Sequence, residues 1–136
     1  MGNDVLFRKC ASIERCLARI EEEYVGKENQ LETNFLIQDS VMLNLLRACE
    51  LSIDAAMHVV RARKLGMPGD ARQAFQTLID TGILSPDLGT HLMHMVGFRN
   101  TAIHTYQEIN INIVRSILDH HLDDFRALVS LLIKLS

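Results

Sequence analysis

An arginine, a histidine and a tyrosine fall within eight positions of one another in GFRNTAIHTY, residues 97–106, among neighbours that are mostly small or apolar. They are Arg99, His104 and Tyr106. A guanidinium stays charged and offers a planar fork of donors to an anionic oxygen, while an imidazole can accept and return a proton near neutral pH. A phenol can bond a phosphate or stack on a base. Five positions on one continuous helix amount to about 500° of rotation, so Arg99 and His104 would point roughly 140° apart. Either the helix ends between them, as the short or β-branched residues Thr101, Ala102 and Ile103 suggest, or the two serve different subunits. Taken alone, the stretch reads more readily as a helix end with a partly buried, satisfied histidine.

The elements that must position these residues are helical throughout. Leu6, Cys10, Ile13, Leu17, Ile20 and Tyr24 advance by threes and fours, which lines one face of a first helix from Asp4 to about Tyr24, with Asp4 as candidate cap and VGKEN as its end. A second start near Thr33 and Asn34 meets no helix breaker before Gly66, a run of roughly thirty residues. This second helix is apolar on more than one side. Phe35, Val41, Leu45, Ala48, Ser52 and Ala56 mark one stripe, while Met42, Leu43, Leu46, Leu51 and Met57 spread round the circumference. Such a helix needs cover on several faces, and a second subunit is a natural source of part of it. It should therefore pair with its symmetry mate or with the helix carrying Arg99. KLGMPGD, residues 64–70, is a turn by composition. Asp70 with Gln73 resembles a capping box, Phe75, Leu78 and Ile79 give a short apolar face, and Gly82 is a stop. Ser85 followed by Pro86 marks another start, with Leu88, Leu92, Met95 and Val96 inward. Asn110 or Asn112 caps a last helix striped by Ile113, Ile117, His120 or His121, Phe125, Leu128 and Leu132. The expected fold is all-α, an up-and-down bundle of four to five helices with a long second helix, one domain over residues 1–136, and dimeric.

The formal net charge of −3 over 136 residues excludes a protein that holds nucleic acid by bulk positive charge, so any RNA must be held locally. Arg61, Arg63 and Lys64, with Arg72 across a turn, form one basic cluster, which a solvated helix end also explains. Three cysteines, at positions 10, 16 and 49, lack the pairing of a zinc or disulfide framework and read as small core residues. Apolar runs such as ALVSLLI are too short for a membrane span, and the N-terminus lacks the pattern of a signal peptide, so a cytoplasmic protein is expected. His91 and His94 with Asp87 can share a helix face but have no third ligand close in sequence. His120, His121, Asp123 and Asp124 read as a solvated edge. No metal site and no cofactor is expected.

The R-x4-H-x-Y spacing of Arg99, His104 and Tyr106 resembles the signature of HepT-like toxins in the HEPN superfamily. QDSVMLNLLRACE (residues 38–50) is similar to that family's long second helix, and GMPGDARQAFQTLIDTGILSPDLG (residues 66–89) to its middle section. The resemblance implies a small all-helical, metal-independent ribonuclease toxin, homodimeric, with the two motifs meeting in one composite cleft. Arg99 and His104 would be catalytic. Asp39 or Glu50 could orient them from behind, and Asn100 is a third supporting candidate. The implied partners are RNA and an MNT-type nucleotidyltransferase antitoxin that transfers AMP to Tyr106, up to a larger hetero-oligomer. The rival readings are a non-catalytic helical module that binds a nucleotidyltransferase and a plain oligomerisation protein, neither of which needs Arg99, His104 and Tyr106 together.

Overall fold

The computed structural model describes residues 3–105 and 108–135, and Tyr106 lies outside them. Among the described residues the regular structure is helical: α1 (Asn3–Tyr24), α2 (Phe35–Ala62), α3 (Ala71–Asp80), α4 (Pro86–His104), α5 (Ile111–His120) and α6 (Leu122–Leu135), with a 3₁₀ turn at Glu28–Gln30. No helix of the described residues is long and apolar enough to cross a membrane.

Local signals set most of the boundaries. The Asn34 side-chain oxygen accepts from the Leu36 and Ile37 N–H groups at 3.1 and 3.3 Å, and Ser85 Oγ accepts from Leu88 N–H at 3.2 Å. Each satisfies helix-start donors that would otherwise lack a partner. Asp70 accepts from Gln73 N–H at 2.9 Å, and Gln73 reaches back to Gly69 N–H at 2.7 Å, one residue earlier than in a standard capping box. Asn110, rather than Asn112, caps α5. Asp4 sits inside the first turn of α1, where its charge suits the helix dipole. At the end of α3, Gly82 takes φ +78°, and the Ile83 and Leu84 N–H groups return to the Leu78 carbonyl. A left-handed residue is needed there, and glycine adopts it without a Cβ clash.

The terminal stretch forms two helices, giving six in all among the described residues. His121 stands between them with φ −124° and ψ 1°, outside helical geometry. On either side of the break α5 buries Val114, Ile117 and Leu118 and α6 buries Leu122, Phe125, Leu128, Val129 and Leu132. Ile113, expected inward, is exposed.

The long α2 lies at the centre, in contact with α1, α3, α4 and α6. Its apolar character on several sides is therefore met mostly within the chain, α4 included. The whole predicted α1 stripe from Leu6 to Tyr24 is buried against this core. Phe35 departs from its expected stripe and is exposed at the first turn of α2, as are Leu36 beside it and Leu43 two turns on. Helices α3 and α4 approach closely enough that a Cβ on Gly89 would fall 2.3 Å from Ile79 Cγ1. Because Ile79 is β-branched and stiff, glycine is what permits that contact.

Candidate functional site

Three helices present one stripe each to a groove of about 680 Å³. From α1 come Ser12, Arg15, Cys16 and Arg19, spaced as one helix face; from α2 come Leu43, Asn44, Arg47 and Glu50; from α4 come Arg99 and, one turn on, Ile103. Four arginines face one glutamate there, although the chain as a whole is acidic. The local excess of cations is what a polyanion needs, since phosphate binding depends on charge near the contact more than on net charge.

Arg99 is held by Glu50, with Nη1 3.2 Å from Oε1. With side chains 21% and 47% exposed, the pair adds at most about 1 kcal/mol to stability, but it fixes where the guanidinium points. Arg99 Nε is buried and has no hydrogen-bond partner among the described residues. A buried, unpaired donor of this kind costs about 1–3 kcal/mol. A guanidinium that turned toward an anion in the groove could relieve that cost. Behind it, burial and then the Glu50 charge push the Cys49 thiol up to about 12, so this cysteine is a protonated core residue and no nucleophile. Cys10 and Cys16 are likewise buried and raised by burial, and all three thiols are free.

Helix α4 runs unbroken through His104, so the helix does not end between the two motif residues. The Thr101 carbonyl accepts from Thr105 N–H at 2.8 Å and from Thr105 Oγ1 at 3.0 Å, so the last turn is bonded despite its β-branched residues. His104 is consequently exposed on a different side of α4 from Arg99 and does not line the groove. Of the supporting candidates, the structure brings Glu50 to Arg99. Asp39 is exposed on α2, eleven residues earlier and so about 16 Å along the helix axis. Asn100 is exposed and outside the groove. Arg15 and Arg19 are not singled out by the sequence, and Arg47 reads there as part of a solvated edge of the second helix that also carries Glu50. Arg15 and Arg19 are four apart on α1, a spacing that hints at a shared face, but only the docking of α1 on α2 aims them beside Arg99. The cluster of Arg61, Arg63 and Lys64 is exposed at the end of α2, where Arg63 Nη2 donates to the Leu135 carbonyl at 3.3 Å. That is the solvated helix end its composition allowed.

Of the two tyrosines, Tyr24 is 4% exposed and its hydroxyl donates to Asp119 at 2.7 Å. Burial, then the bond to Asp119, push its phenol up to about 12. It is a structural clasp between α1 and α5 and is inaccessible to a modifying enzyme. His91 and His121 do converge, but on Asp124 rather than on His94 or Asp87.

An all-helical chain built round one long central helix, with an arginine-bearing groove and a histidine one turn beyond it, defines a small helical domain with a local concentration of positive charge. The family model described as Ribonuclease HepT-like matches residues 13–132, and the chain belongs to that family. It is 42% identical over 130 residues to the mRNA nuclease HepT of Shewanella oneidensis, covering 96% of this chain and 97% of that protein. A solved structure of the tri-AMPylated Shewanella oneidensis HEPN toxin in complex with MNT antitoxin superposes with TM-score 0.90 at 41% identity, covering 98% of each chain. A toxin–antitoxin structure with AMP-PNP gives TM-score 0.91 at 41% identity over 98% of this chain and 99% of that one.

Proposed function

We propose that this protein is the ribonuclease toxin of a toxin–antitoxin pair, cutting RNA without a metal and silenced when a nucleotidyltransferase antitoxin attaches AMP to Tyr106. The four-arginine groove with Arg99 tethered by Glu50 carries the reading, because it supplies a fixed cation where an RNA phosphate would lie. The likeness to an mRNA nuclease and to toxins solved with their antitoxin supports it. Residues 1–136 are read as one HEPN-like domain acting in the cytoplasm.

In this scheme His104 takes the proton of a ribose 2′-hydroxyl, the oxygen attacks the adjacent phosphorus, and Arg99 holds the non-bridging oxygens as charge builds on the phosphorane. The leaving 5′-oxygen needs a proton donor, and one histidine cannot be base and acid at once. A second copy meets that need. The divergence of Arg99 and His104 on one unbroken helix supports a cleft assembled from two chains, as do Leu43 and Ile103, 50% and 56% exposed at the groove. That the acceptor is a tyrosine is what the family resemblance implies, and of the two in the chain Tyr24 is buried and bonded. Tyr106 is the other one.

Induction of the chain alone in a bacterial host should halt growth and shorten cellular mRNA, and co-expression of the cognate nucleotidyltransferase should restore both. An Arg99→Ala chain should be harmless. Equal toxicity of that variant would remove the groove from the account.

A further inference from the structure

We propose that His91, His121 and Asp124 form a divalent transition-metal site, of the class that takes Zn²⁺, separate from the arginine groove. Asp124 projects from the first turn of α6 and its side chain is 15% exposed. One carboxylate oxygen lies 3.3 Å from His91 Nδ1 on α4, and the other lies 3.0 Å from His121 Nδ1 at the corner between α5 and α6. The two imidazoles meet edge to face, with centroids 5.4 Å apart. One ligand atom from each of the three residues lies within 4.8 Å of the other two.

Zinc–ligand bonds of about 2.0–2.2 Å in a tetrahedron put neighbouring ligand atoms roughly 3.4 Å apart, and here one ligand atom from each residue lies within 4.8 Å of the others, the 3.3 and 3.0 Å nitrogen–oxygen separations running to different oxygens of Asp124. Side-chain rotation at a partly exposed site closes the remaining gap. Two imidazole nitrogens with one carboxylate oxygen suit zinc and its neighbours rather than magnesium or calcium, which prefer all-oxygen shells. The fourth position falls to water, because His91 and His121 also line an open pocket of about 330 Å³ with His94, Phe98 and Ser116. Loading replaces the direct imidazole–carboxylate contacts by bonds to the ion and ties α4, the helix of Arg99, to the α5–α6 corner. The ion would brace the fold and takes no part in cleavage, for none of its ligands lines the arginine groove.

The experiment is titration of the metal-free full chain with Zn²⁺ by calorimetry, with Co²⁺ as a spectroscopic probe. One ion per chain should bind, the Co²⁺ adduct should show the strong visible bands of a four-coordinate site, and Zn²⁺ should raise the thermal midpoint. His121→Ala and Asp124→Asn should each weaken binding at least about a hundredfold, since even residues that merely support metal ligands are worth 10–100-fold. Should either fail to fold, His91→Gln, at a half-exposed side chain, reports on the same site. His94→Ala and His120→Ala should bind as the parent does. Binding unchanged by the ligand variants, weakening by His94→Ala or His120→Ala of the same size, or no binding at micromolar metal would overturn the site and leave a hydrogen-bonded histidine–aspartate cluster.

Discussion

Arg99→Ala and His104→Ala should each reduce RNA cleavage by the purified protein by at least about two to three orders of magnitude, with helical content unchanged. Loss of one donor to a charged transition state costs about 3–4 kcal/mol in the barrier, and loss of a positioned acid or base has a similar effect. Neither change should unfold the chain. Arg99 contributes one half-exposed ion pair to stability and His104 is exposed in the final turn of α4. Light scattering should give parent and variants alike the mass of two chains, so that lost activity cannot be ascribed to lost assembly. Cleavage retained by either variant would refute its assigned role, and a single-chain mass at micromolar concentration would refute the composite cleft.

The second large effect is at Tyr106. Incubation with the cognate nucleotidyltransferase and ATP should raise the intact mass by one or more AMP units, all on one peptide containing Tyr106, and should abolish cleavage. Each AMP adds a phosphate's negative charge and the bulk of a nucleoside, so under the proposed function repulsion and bulk both oppose an RNA substrate. Tyr106→Phe should escape modification and stay active in the presence of the antitoxin and ATP. AMP on Tyr24 would require a buried hydroxyl bonded to Asp119 to be released first, and its detection in the folded protein would contradict the elimination of that residue.

What was legible in the sequence was whatever a few neighbouring residues decide. Asn34, Asp70, Ser85 and Asn110 start their helices because a short polar side chain reaches an N–H two or three positions on. The α1 stripe was equally plain, since one periodic face reports one packing surface. The break at His121 was not, because the buried positions on either side of it continue one helical period, and nothing in that stripe marks an interruption. Phe35 misled for a related reason: it continues the apolar period of α2 beyond the point where a neighbour covers it. At the site, Arg99 and Glu50 were each visible as candidates, but Arg15, Arg19 and Arg47 gain meaning only when α1 lies along α2. His91 and Asp124, 33 positions apart, likewise meet only through the packing of α4 on α6.

The central claim is that Arg99 and His104 cut RNA by activating the substrate's own 2′-hydroxyl, and the most direct measurement is the chemistry of the new ends formed in EDTA. The purified parent chain, freed of metal and incubated with a labelled RNA, should cleave at an undiminished rate and leave a 2′,3′-cyclic phosphate on one fragment and a 5′-hydroxyl on the other. An RNA with 2′-deoxyribose at the cleavage position should resist at that position. Complete inhibition by EDTA, or fragments ending in a 3′-hydroxyl and a 5′-phosphate, would contradict the account.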